Sequence, residues 1–327
     1  MFQTPWSSKE VSKDGRVMRF EPVALTNELV EQATASNVAF LVDEVYTGAP
    51  LVITFGFVSW DNKPGFDFYG RLKKLEATSG QPLNRIMVRD CQNGWYHWEI
   101  PGLGQHVDEV AANLKSMIEA IQPSKVITIG QSMGGYAAIM FGTLLQADLI
   151  LSFGALSFLC PKEALTYHDR RWLGVMMDLE QIPPPVRYMD LPALCREMGE
   201  TSEMHLFFGT KPDENTTDSV NLDVLHAFRY APLRNCSLHP YPESGHAVVK
   251  YLIDTKRIDD LLGQYILGLE PAPVAVDTPV SAEWLDWIKG NLASGVHPEH
   301  LMSILRQNGF SEYQGRAGLH TCMAGRW

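Results

Sequence analysis

Apolar residues along this chain fall into short dense runs separated by longer, periodic stretches. "VAFLVDE" (38–44), "PLVITFG" (50–56), "NRIMVRD" (84–90), "KVITIG" (125–130), "DLILSFG" (148–154), "MHLFFG" (204–209) and "CSLHPY" (236–241) each read as a strand. Several are apolar throughout, as strands covered on both faces of a parallel sheet must be. Between them the period changes. "VDEVAANLKSMIEAI" (107–121) puts Val107, Val110, Leu114, Met117, Ile118 and Ile121 on one helical face, and "YAAIMFGTLLQ" (136–146) and "AVVKYLI" (247–253) predict two further helices. Strands alternating with helices predict the α/β class, with a mostly parallel central sheet flanked by helices.

Two segments break the rhythm. Residues 155–203 are too long for a simple crossover and contain "QIPPPVRYMDLP", so they read as a cap-like insertion. "LEPAPVAVDTPVSA" (269–282) is rich in Pro, Ala and Val without periodicity and reads as a linker. The expected organisation is therefore a main domain over 1–268, that linker, and a small helical module over 283–327. The module begins with a capping-box-like Ser281, with Glu283 and Asp286 in the first turns, and continues as two amphipathic helices split by "ASGVHP".

Candidate chemistry centres on Gly130-Gln131-Ser132-Met133-Gly134, a G-x-S-x-G pattern lying between a strand and a helix. A serine on so sharp a turn takes a strained backbone that lifts its hydroxyl above the sheet, and side chains two residues away on either side would collide. The helix that follows aims its first N–H groups at developing negative charge. A serine hydroxyl needs a base, and "YPESGHAVVKYL" supplies His246 in a loop just after the last strand. His239 lies inside a strand and His226 inside a helical pattern, so both fit less well. The acid should follow "MHLFFG". Asp218, just ahead of "SVNLDVLHAF", is favoured over Asp213 in "KPDEN", with Asp223 third. Two backbone donors should hold an oxyanion: the N–H of Met133 and, from the turn after "LVITFG", the N–H of Phe57.

These residues resemble the α/β-hydrolase superfamily over about 37–265, through the order of strands, "GQSMGG", the oxyanion-type "FGF" and the Gly-His loop. The closest likeness is to poorly described bacterial serine hydrolases. The resemblance implies an α/β-hydrolase fold and cleavage of an ester, thioester or amide through an acyl-enzyme, without metal or organic cofactor. No HGGG run precedes the oxyanion residue, unlike in lipases and many esterases, so the resemblance carries no expectation of bulky or long-chain lipid esters. The alternatives are acyl transfer to an amine or alcohol by the same intermediate, or a non-catalytic binding role. The tail resembles short UBA-like helical modules through the spacing in "LMSILRQNGF", which implies a protein partner for it.

Composition narrows the partners. A formal net charge of −11 repels nucleic acid and anionic membrane surfaces, leaving a small acyl substrate as the expected ligand. Five scattered cysteines without CxxC spacing fit a reducing compartment, and the N-terminal stretch lacks the apolar core of a signal peptide, so a cytoplasmic location is expected. "PGLGQHV" (101–107) lacks the full dinucleotide fingerprint, "NGWYHWEI" (93–100) reads mainly as core, and His297 with His300 is too sparse for a metal site. Within the insertion, "DRRW" offers Arg170 or Arg171 to a substrate anion, though a solvated cap face explains them as well.

Overall fold

The computed structural model describes residues 22–36, 38–60, 64–181, 187–212, 221–270, 280–308, 310 and 312–323. The chain divides into two compact units, Met1–Gly268 and Leu269–Trp327. In the first unit the elements run α1 (Asn27–Ala35), β1 (Phe40–Val42), β2 (Leu51–Phe55), α2 (Tyr69–Ser79), β3 (Asn84–Val88), α3 (Val107–Ile121), β4 (Val126–Gln131), α4 (Met133–Leu144) and β5 (Leu149–Phe153). They continue with α5 (Pro161–Thr166), α6 (Leu173–Leu179), α7 (Leu191–Glu197), β6 (Glu203–Gly209), α8 (Leu222–Tyr230), β7 (Cys236–Tyr241), α9 (Val248–Asp254) and α10 (Ile258–Leu267).

The strands form one seven-stranded sheet in the order β1-β3-β2-β4-β5-β6-β7. Only β1 runs antiparallel, pairing Phe40 with Val88; the other neighbours are parallel. With helices packed on this sheet and the serine turn at the end of β4, the molecule has the α/β-hydrolase fold. The predicted apolar runs are the buried strands: β2, β3 and β5 are covered at every position. Strand β1 is shorter than its run suggested, because Asp43 turns its carboxylate onto the Leu25 N–H and the buried Arg85 instead of extending the strand.

Helix α4 is buried from Met133 to Thr143, which explains why its sequence is apolar all round rather than striped. It begins three residues earlier than its apolar pattern suggested, immediately after Ser132, because Gly134 and Gly135 obscure the start. Helix α3 buries the predicted stripe Val107, Val110, Leu114, Met117 and Ile121. The His106 side chain caps it by accepting from the Glu109 N–H. Among the described residues of 155–203 stand three short helices, α5, α6 and α7.

Register sets the working edge. Phe55 lies beside Gly130, Gly130 beside Ser152, and Phe153 beside Phe207. The turns after β2, β4, β5 and β6 therefore meet at the carboxyl ends of the strands, where open α/β sheets bind ligands.

The second unit contains α11 (Ala282–Ala293), α12 (Pro298–Gln307) and α13 (Glu312–Met323). Ser281 caps α11, its hydroxyl accepting from the Trp284 N–H at 3.4 Å. Ile288, Leu301, Leu305 and Leu319 form its core. The third helix was not expected from the tail's apolar pattern, in which Gly315 and Gly318 interrupt the stripe. Among the described residues, no helix is long and apolar enough to cross a membrane.

Candidate active site

Ser132 sits at φ 52°, ψ −119°, between β4 and α4. That backbone costs about 1–3 kcal/mol and persists only where its surroundings over-determine it. Here they do. A Cβ on Gly130 would lie 2.1 Å from the Gly134 carbonyl oxygen, and one on Gly134 would lie 2.1 Å from that of Phe55. The Ser132 N–H donates to Phe153 O at 2.8 Å, tying the turn to β5. A Gly134→Ala variant is therefore expected to shift the turn or fail to fold. Soluble yield together with near-ultraviolet circular dichroism would read this, and a native spectrum with unchanged yield would contradict the packing.

Ser132 Oγ lies 3.0 Å from His246 Nε2. His246 stands in the loop between β7 and α9, half-exposed, and its Nδ1 is 2.7 Å from Asp223 Oδ2. Asp223 is 1% exposed and belongs to the first turn of α8, where the Asn221 side chain caps the helix by accepting the Asp223 N–H. This corrects the expected acid: the carboxylate on His246 is Asp223, weighed third, while Asp218 and Asp213 lie outside the described residues. Gly154, at φ +58°, passes beneath the pair; a Cβ there would approach Asp223 Oδ2 to 3.3 Å and His246 Nδ1 to 3.4 Å.

The arginine of the insertion is also placed differently from either sequence reading. Arg171 forks onto Asp169 through Nε and Nη2 and reaches Asp223 Oδ1 through Nη1 at 2.9 Å. It is thus a partly exposed cation on the far side of Asp223 from His246, with its guanidinium committed to two carboxylates. Burial opposes the charge on Asp223, but the His246 hydrogen bond and Arg171 outweigh it and hold the carboxyl below its ordinary range.

Asp169 continues the network to His226 Nε2 at 2.9 Å, and His226 Nδ1 lies 2.9 Å from Ser157 Oγ. This second Ser-His-Asp set is enclosed: Ser157, His226 and Asp169 are each at most 1% exposed, so no substrate reaches it. Burial keeps His226 in its neutral form against the pull of Asp169, and its two ring nitrogens join α8 to the insertion.

The expected oxyanion donors differ in state. The Met133 N–H has no acceptor among the described residues, as the first donor of a helix should. The Phe57 N–H, in contrast, donates to Asp67 Oδ2 at 3.0 Å. Burial raises the Asp67 carboxyl to about 7, with the Phe57 N–H pulling the other way. No period or motif marks Asp67, which lies in "KPGFDFYG".

Ser132, His246 and Phe57 line a cleft of about 460 Å³, walled by Trp60, Pro64 and Trp172. The Trp60 and Trp172 rings stack at 5.6 Å between centroids, and Trp95 packs edge-on behind Trp172 at 5.4 Å. "NGWYHWEI" thus backs the cleft from the core. The Tyr96 hydroxyl donates to Gly56 O at 2.8 Å and braces the turn that carries Phe57. Asp90 holds this segment by accepting from the Gln92 and Tyr96 N–H groups at 2.9 Å. His97 is enclosed with no partner on either ring nitrogen among the described residues, and burial pushes it down to about 3.

No protein-family model matches the chain, and no curated protein does. Solved structures share its outline. One is MGS-MChE2, an alpha/beta hydrolase enzyme from the metagenome of sediments of the Mar Chica lagoon in Morocco: 16% identity, 70% of this chain and 95% of that one, TM-score 0.43. A capsule O-acetyltransferase of Neisseria meningitidis serogroup A, a mutant form in complex with CoA, gives 14% identity over 67% of this chain and 90% of that one, TM-score 0.46. The 2,6-dihydroxy-pseudo-oxynicotine hydrolase gives 14% identity over 74% and 68%, TM-score 0.46.

Proposed function

We propose that this chain is a serine hydrolase that cleaves a carboxylic ester or thioester through an acyl-enzyme. The observation that carries the reading is the unbroken relay from Ser132 Oγ to His246 Nε2 at 3.0 Å and from His246 Nδ1 to Asp223 at 2.7 Å. Ser132 Oγ attacks the acyl carbon as its proton passes to His246 Nε2, and the carbonyl π electrons move to oxygen. Collapse expels the alcohol or thiol, which takes the proton from His246. Water then repeats the sequence and releases the acid. Asp223 fixes the imidazole so that Nε2 faces the serine and stabilises its charged form. The N–H groups of Met133 and Phe57 receive the oxyanion, with Phe57 exchanging Asp67 for the acyl oxygen. The apolar cleft walls suit an uncharged acyl group.

Fluorophosphonate labelling tests this directly. Wild type should form one adduct, on Ser132, and Ser132→Ala should form none; an adduct surviving the substitution would overturn the reading. Following the products of a p-nitrophenyl ester with and without an added amine or alcohol reads whether the acyl group goes to water or to an acceptor.

A further inference from the structure

The donor assigned to the oxyanion is occupied by a carboxyl group. Asp67 lies in the short segment from Pro64 to Phe68, which leads from the cleft wall to α2, and it is anchored on both sides. Phe66 packs beneath the Arg89 guanidinium at 4.8 Å, and Phe68, at φ 63°, lies against Phe153 at 5.8 Å between centroids. The carboxyl is thereby held to the Phe57 N–H by packing on either side.

The charged and titratable groups around it come from three elements. Arg89, after β3, is committed to backbone carbonyls including Pro64 O. Tyr96 places its hydroxyl on Gly56 O, with Asp90 behind it on the Tyr96 N–H. Across the cleft stands His246, bonded to Ser132. Among the described residues no cation pairs with Asp67, so the Phe57 N–H alone works against the cost of burying its charge and does not outweigh it.

We propose that Asp67 is a positioning residue that governs the oxyanion site through the Phe57 amide, and that turnover proceeds from the form in which this carboxyl carries its proton. Ionised, Asp67 would grip the Phe57 N–H in a charge-assisted hydrogen bond and so withhold it from substrate. It would also set a negative charge beside the oxygen that becomes negative in the transition state, where stabilisation depends on fixed donors. Neutral, it is a weaker acceptor, gives up the amide readily and adds no opposing charge. The raised ionisation of Asp67, about 7, places the change between these forms near neutrality.

The proposal rests on the acyl-enzyme reading, and the test separates the two. The rate of fluorophosphonate labelling at Ser132 is followed between about pH 5.5 and about pH 9 for wild type and Asp67→Asn. Wild type should slow by about tenfold per pH unit above about pH 7, while the uncharged amide, still an acceptor for Phe57, should remove that decline. Asp67→Ala serves if the asparagine variant folds poorly, and should also lack the decline at a lower overall rate. A second measurement needs no chemistry. A raised acid pKa means that the folded wild type loses stability as pH rises from the unfolded value through about 7, so Asp67→Asn should gain in thermal midpoint over wild type across that window. Labelling of Ser132 with superimposable pH profiles in wild type and variant would overturn the Asp67 proposal alone. Absence of label at every pH would overturn the acyl-enzyme reading and this proposal with it.

Discussion

Asp223→Asn is expected to lower kcat by about four orders of magnitude while leaving KM within a few-fold of wild type. Asp223 Oδ2 accepts from His246 Nδ1 at 2.7 Å, which leaves Nε2 free to take the proton of Ser132. An amide nitrogen turned to the same place donates instead, drives the ring proton onto Nε2, and removes the acceptor that the serine needs. Arg171 keeps its fork on Asp169, so the local structure should survive and the loss is one of chemistry. Asp218→Asn and Asp213→Asn should keep wild-type rates. The assignment fails if Asp223→Asn stays within about tenfold of wild type in kcat while Asp218→Asn falls as predicted for the true acid. The lowered ionisation of Asp223 adds a sign for stability. The folded state favours its charged form, so this contribution is fully present above the ordinary carboxylate range and is lost as pH falls below that range through the lowered folded value.

Arg89→Met is expected to destabilise the first unit by about 3–5 kcal/mol, lowering the thermal midpoint by roughly 10 °C or more. The guanidinium is fully buried and pairs with no carboxylate among the described residues; five carbonyls hold it. Those of Ala33, Thr34 and Ser36 close the end of α1, where the helix dipole is negative; the others are Val38 O and Pro64 O. Methionine fills the volume but leaves these acceptors short of donors in a dry environment. Lysine keeps the charge without the planar fork and should recover less than half of the loss. Thermal unfolding followed by circular dichroism reads both. A midpoint within about 2 °C of wild type for Arg89→Met would show that the carbonyls find other donors.

The main frame was legible because its physics is local. Buried parallel strands must be apolar and short, and Gly130 is demanded by the Gly134 carbonyl four residues on, although Gly134 itself is demanded by the distant carbonyl of Phe55. His246 was found because it follows the last strand. Asp223 was misranked because its surroundings carry an ordinary helix start: Asn221 caps, and an acid in the first turn suits the dipole. That it points at an imidazole 23 residues away leaves no trace in the local pattern. Asp67 was missed for a related reason. Its partner is the backbone of Phe57, and a main-chain donor has no side-chain signature. Arg171 read as solvated or substrate-facing because only one of its carboxylates is local: Asp169 lies two residues away, whereas Asp223 is 52 residues distant.

That arginine alters what the insertion is. A cap over a cleft is usually treated as an exchangeable module, grafted or trimmed to change which molecules fit. Here one of its side chains, Arg171, holds Asp223 Oδ1 while His246 takes Oδ2, so the segment that walls the cleft through Trp172 also braces the carboxylate behind the histidine. Swapping the segment for another would take away the Trp172 wall of the cleft together with the cation on Asp223, and a graft that omitted Arg171 would leave that buried carboxylate with His246 as its remaining side-chain partner.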